Sequence, residues 1–144
     1  MSAARLYTPE LLGLAVELAG HPPLATASAH GEARSATCGS TLALDMMLDR
    51  EGRIEALGMK VRACAVGQAA AAIFARHAPG QDAAALARTQ RAVAHWLADA
   101  QAPAPDWPDI AMLDPARAFP GRHGAILLPW NAALAALSPA TRAV

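Results

Sequence analysis

The chain has 144 residues, 54% of them apolar, yet half of that apolar set is alanine: 39 residues are Ala. Alanine buries little area, so the 17 Leu, 5 Val, 4 Ile and 5 Met must supply most of the core, enough for a single domain over residues 1–144 and not for two. Twelve basic residues, eleven Arg and the lone Lys60, balance twelve acidic ones, and this neutrality argues against a nucleic-acid or membrane-surface binder.

The opening Met1-Ser-Ala-Ala-Arg5 does not lead into an uninterrupted apolar stretch, so no secretory signal is expected. The longest apolar run, Val61 to Ala75, is broken by Arg62 and Gln68 and falls short of the roughly 20 residues of a bilayer span. Two cysteines without an export signal predict reduced thiols in a cytoplasm.

Thr8 is placed to cap a first helix, with Pro9 in its first turn and Glu10 at its positive end. Leu11, Leu12, Leu14, Ala15 and Leu18 form the apolar stripe, which ends near Gly20 and Pro22-Pro23. Residues 24–37 carry only weak strand propensity. From Thr41 the period changes to two: Leu42, Leu44, Met46 and Leu48 alternate with smaller or polar residues. Asp49-Arg50-Glu51-Gly52 is a turn, and Leu57, Met59 and Val61 resume the alternation, which predicts a hairpin. Ala65 to His77 is helical and stops at Pro79-Gly80. Asp82 caps a long helix to about Ala100, with Leu86, Val93 and Leu97 on one face beside Trp96. Residues 101–108 are a proline-rich connector. Ile110, Met112 and Leu113 suggest a short helix, and Ala125 to Leu137 a final one adjusted around Pro129. This order predicts an α+β fold, a small antiparallel sheet of about three strands packed against several α-helices.

The hairpin also brings chemistry together. Residues facing each other across an antiparallel hairpin have numbers with a constant total, and a turn at Glu51 or between Glu51 and Gly52 sets it at 102 or 103. Cys38 and Cys64 total 102, so they are expected side by side at the open end, with Cβ atoms about 5 Å apart if directly paired. Thiolates at that spacing can share one metal ion, or form a disulfide if their Cα atoms lie within about 7 Å. Cys64 immediately precedes the helix at Ala65, whose positive end favours a thiolate. Cys38 is followed by Gly39-Ser40, a turn that lets backbone and hydroxyl approach whatever the sulfur binds. The plainer reading of two lone cysteines is that of small buried hydrophobes.

Arg34-Ser-Ala-Thr-Cys38-Gly39-Ser40, the strand to Asp49, Gly52-Arg53-Ile54 and Ala63-Cys64-Ala65-Val66-Gly67-Gln68-Ala69-Ala70 together resemble the U-type iron–sulfur cluster assembly scaffolds: IscU, SufU and the N-terminal domain of NifU. Phe119-Pro120-Gly121-Arg122-His123-Gly124-Ala125-Ile126-Leu127-Leu128-Pro129-Trp130 resembles the family's third segment, at the longer SufU-type separation. The resemblance implies the family fold and a role in assembling or carrying clusters without enzymatic turnover. It also implies a cysteine desulfurase and recipient apo-proteins as partners. This chain departs from the pattern at several positions. The family's third ligand Cys falls on Ala125, the Asp two residues after the first Cys is Ser40, and the His before the third Cys falls on Gly124, with His123 one residue earlier. The Leu-Pro-Pro-Val-Lys motif read by a dedicated Hsp70 chaperone is replaced by Phe119-Pro120-Gly121-Arg122.

Two cysteines cannot close a four-ligand site within one chain. Three readings follow. Two protomers of a homodimer supply four thiolates, enough for a 2Fe–2S or 4Fe–4S cluster. Alternatively, Cys38, Cys64 and His123 hold zinc, with water or Ser40 completing a tetrahedron. Or the chain is a degenerate relative that serves as a partner-binding or regulatory module. The other singular residues have structural readings. His21 and His77 sit at helix ends where a cation complements the dipole. His30 and His95 are surface or boundary residues, Arg122 belongs to a surface ion pair or steadies an anionic cluster or persulfide, and Trp96, Trp107 and Trp130 anchor the core or an interface. No nucleophile triad, phosphate loop or carboxylate pair stands out.

Overall fold

Thr8 caps the first helix as expected: its hydroxyl accepts the Leu11 N–H at 3.2 Å, and α1 runs over Pro9–Glu17 into a 3-10 turn over Leu18–Gly20. The computed structural model describes residues 8–138, so the Met1–Arg5 stretch lies outside the described residues. Three antiparallel strands follow in the order β1 (Ala29–Arg34), β2 (Thr41–Leu48) and β3 (Ile54–Arg62). β1 is the weak strand of residues 24–37, now bounded. The alternation on β2 places Leu42, Leu44 and Met46 in the core and leaves Thr41, Ala43 and Asp45 on the outer face.

α2 (Ala65–His77) begins and ends where the sequence places it. α3 spans Ala83–Ala98, two residues short of the expected end, with the Asp82 carboxylate accepting the Ala85 N–H at 2.9 Å. After a 3-10 helix over Ile110–Ala118 and a single turn over Pro120–Arg122, α4 runs from His123 to Ala136. It starts two residues earlier than its apolar pattern suggests, because no side chain caps it and nothing in the sequence marks its first turn. Pro129 interrupts it without ending it; its missing N–H deprives the Ala125 carbonyl of its α-helical donor.

The architecture is the predicted α+β one. α4 lies against β1 and β2 and packs on α2 and α3, while α1 covers α2. Alanine lets these helices approach closely: Ala69 to Ala72 and Ala132, Ala133 and Ala136 are all buried. The scarce aromatics then fill the centre. Phe74 stacks on Trp107 at 5.6 Å, and Trp130 stands edge-on to both at 5.3 Å. Trp107 Nε1 donates to the Ile73 carbonyl at 3.1 Å. Trp96, Trp107 and Trp130 are all core residues. Arg76 ties this core's rim together by pairing with Glu17 of α1 and, at 3.1 Å, with Asp109, which also accepts from His77 Nε2 at 2.7 Å. No helix among the described residues is long and apolar enough to cross a membrane.

The hairpin register departs from one expectation. An irregularity between Met47 and Leu48 moves the pair total from 102 at Leu48–Ile54 to 103 from Met47–Ala56 through Thr41–Arg62. The ladder ends at Thr41–Arg62, short of both cysteines, and in that register Cys64 would face Gly39. Cys38 and Cys64 therefore leave the sheet at the same end without forming a directly paired couple.

Candidate metal centre

Cys38 sits in the tight connection between β1 and β2. Ser35 N–H donates to the Ser40 carbonyl at 2.8 Å, and Gly39 N–H donates back to the Ser35 carbonyl at 2.9 Å. Gly39 closes the loop at φ +70°, a conformation that glycine adopts without steric cost. The loop pushes the Cys38 thiol outward while turning Ser35 and Ser40 in, to 4% and 6% exposure. The Cys38 thiol donates to Ser35 Oγ at 3.4 Å and shares a hydrogen bond with Ser40 Oγ at 3.0 Å. These hydrogen bonds, Ser35's first and then Ser40's through side chain and backbone N–H, hold the thiol below its ordinary value of 9.0. The Arg122 charge acts in the same direction, against a desolvation cost.

Cys64 is the N-cap residue of α2, half-buried, with extended backbone angles (φ −64°, ψ 171°) and a carbonyl that accepts the Gln68 N–H at 2.9 Å. Its side chain caps nothing. Gln68 Nε2 donates to the Ala63 carbonyl at 2.8 Å and pins the corner between β3 and α2. The apolar part of Cys64 rests on the core edge.

The first turn of α4 closes the third side. A Cβ on Gly67 would stand 3.2 Å from the Ala125 Cβ, and a Cβ on Gly124 would meet the Ser35 hydroxyl. α4 thus abuts both the Cys38 loop and the start of α2, and Ala125 is fully buried at that junction.

His123 faces another way. Its Nε2 donates to the Arg117 carbonyl at 2.9 Å, and its ring lines a cavity of about 590 Å³ with Leu97, Asp114 and Arg117. Among the described residues no three His, Cys, Asp or Glu side chains gather to hold a metal, so Cys38, Cys64 and His123 do not form such a group. Sequence reasoning missed Ser35 as a partner of the thiol. The signal that could have found it is a pair of hydroxyl residues three before and two after a turn cysteine.

No family model and no curated protein matches the chain. Among solved structures it is similar to a nitrogen-fixing NifU-like protein (N-terminal) from Brucella abortus, at 28% identity and TM-score 0.81 over 92% of each chain. It is also similar to a putative iron–sulfur cluster assembly scaffold protein for the SUF system from Fervidobacterium islandicum AW-1. That likeness has 17% identity and TM-score 0.80, over 95% of this chain and 100% of the other. At 17% identity it speaks for the fold. In fold, and in sequence at 28% identity, the chain is similar to the NifU-like protein, and its fold is also that of the SUF-system scaffold structure.

Proposed function

We propose that this chain is an iron–sulfur cluster assembly scaffold or carrier that holds its cargo through Cys38 and Cys64, with ligands shared across a homodimer. The observation that carries the reading is the Cys38 loop: an exposed thiol, held toward its thiolate by two buried hydroxyls, at the same end of the sheet as Cys64. The roles named for the Brucella and Fervidobacterium proteins support it. The donor set also fits. A cluster takes four thiolate-class ligands, one chain offers two, and a second copy completes a 2Fe–2S or 4Fe–4S site. Exposure at Cys38 suits cargo that must leave again. In this reading the protein catalyses no turnover, works in a reducing cytoplasm, takes sulfur from a cysteine desulfurase and passes clusters to recipient apo-proteins.

A second reading rests on Ala125. With a buried methyl where the family places a third thiolate, the chain would be a degenerate homologue serving as a zinc-binding or partner-binding module. Zinc on Cys38 and Cys64 with Ser40 or His123 requires His123 to exchange the Arg117 carbonyl for the metal.

Anaerobic reconstitution with iron and sulfide, followed by visible absorption and metal analysis of sized fractions, separates these. The proposal expects a brown dimer that Cys38→Ser and Cys64→Ser each render colourless. Colourless protein with stoichiometric zinc would establish the mononuclear site, and metal-free protein the partner module.

A further inference from the structure

The outer face of the sheet, turned away from α4, carries two cross-strand rows. Arg34–Thr41–Arg62 lies at the cysteine end, and Glu32–Ala43–Lys60 lies next to it. Thr41 and Ala43 are small, so the side chains of β1 and β3 stand as walls along β2 and enclose an open groove of about 470 Å³. Glu32 is engaged by His30 Nε2 at 3.1 Å. Arg34, Lys60 and Arg62 are exposed and make no hydrogen bond or ion pair among the described residues. In a chain with no net charge, three cations against the single carboxylate of Glu32 around one groove form a local field that attracts anions.

The spacing selects the anion. Adjacent strands lie about 4.8 Å apart, so the backbones of Arg34 and Arg62 stand about 10 Å from each other across the groove, and those of Lys60 and Arg62 about 7 Å along it. That spread suits an extended chain with carboxylates on alternate residues, whose repeat is also about 7 Å, better than a single small anion. A nucleic-acid strand has a similar charge spacing. The groove offers it no aromatic side chain on which a base could stack.

We propose that this groove docks an extended acidic segment of a partner protein, alternate carboxylates meeting Lys60 and Arg62 along one wall and Arg34 on the other. A partner so held lies beside the end of the sheet from which Cys38 and Cys64 emerge. The groove is built from outer-face side chains alone, so the inference stands whether or not the cysteines hold a cluster.

Fluorescence anisotropy on metal-free full chain tests it. The probes are a labelled peptide of alternating Glu and Thr and a labelled oligothymidylate of equal charge. The peptide should bind, more weakly as salt rises, and the Lys60→Glu/Arg62→Glu double variant should weaken it by about tenfold or more. Arg34→Gln on the opposite wall should weaken it about threefold, and Arg88→Glu on α3 should leave it unchanged. Circular dichroism of each variant checks the fold, and Arg34→Gln decides the matter if the double variant does not fold. The inference is overturned by absence of peptide binding or by an equal loss in Arg88→Glu. Tighter binding of the oligothymidylate, or displacement of the peptide by millimolar inorganic phosphate, would overturn it too.

Discussion

At the scale of single residues, the chemistry turns on how Cys38 is held. The Cys38 thiol on its exposed loop is hydrogen-bonded to two hydroxyls that are themselves withdrawn from water, and these contacts hold its pKa below the ordinary thiol value. Because donors to the charged form lower a thiol's pKa, alkylation of Cys38 measured against pH in a Cys64→Ser background should show a midpoint below 9.0. Ser35→Ala/Ser40→Ala should move that midpoint upward. An unchanged midpoint would assign the activation to something other than the serines. Both cysteines were legible as candidates from the hairpin arithmetic. The serine cradle was not, since it depends on the left-handed turn at Gly39 folding Ser35 back over the sulfur, a tertiary detail that residue spacing does not encode.

Among the elements, those with local punctuation were readable. Thr8 and Asp82 mark helix starts with side-chain caps, and Pro79-Gly80 marks a stop, so α1, α2 and α3 fall where expected. β1 was only faintly legible because tertiary contact, not propensity, defines it: its Ala29 and Gly31 face α4. At Gly31 a side chain would overlap the Ala132 carbonyl and the Ala136 backbone. Gly31→Ala should therefore force α4 away from the sheet and cost about 1–3 kcal/mol in denaturant unfolding, as overpacking does. A variant as stable as the parent would mean that α4 yields without cost. That Cys38 and Cys64 are not directly paired has the same origin, because the bulge that takes the ladder from 102 to 103 is a local accommodation that a repeating pattern does not announce.

For the whole molecule, charge is balanced in number and uneven in placement. The Glu17–Arg76–Asp109–His77 network joins α1, α2 and the approach to the Ile110–Ala118 helix, and the same pairs hold Glu17 and Asp109 below their ordinary 4.5 and 3.8. Lowered carboxyl values give stability that is present above those ordinary values and lost as pH falls through the lowered ones. His30 is shifted upward by Asp45 and then Glu32, so its contribution is complete below 6.5 and is lost as pH rises through its raised value. Calorimetric melting temperature should therefore fall on both sides of a mildly acidic plateau, by small amounts because the groups are largely exposed. His30→Gln should flatten the alkaline side only; a parent whose melting temperature keeps rising from pH 6.5 upward would contradict the His30 assignment.

The stoichiometry of thiolates decides the central claim. Each chain carries two cysteines, Ala125 supplies no third thiolate, and His123 is turned to the Arg117 carbonyl, so the proposed scaffold role calls for two chains per cluster. Native mass spectrometry of the anaerobically reconstituted protein measures this directly. The account predicts a dimer carrying one cluster for every two chains, dissociating to metal-free monomers in Cys38→Ser and Cys64→Ser. A monomer carrying the cluster alone, or a dimer that carries none, would contradict it.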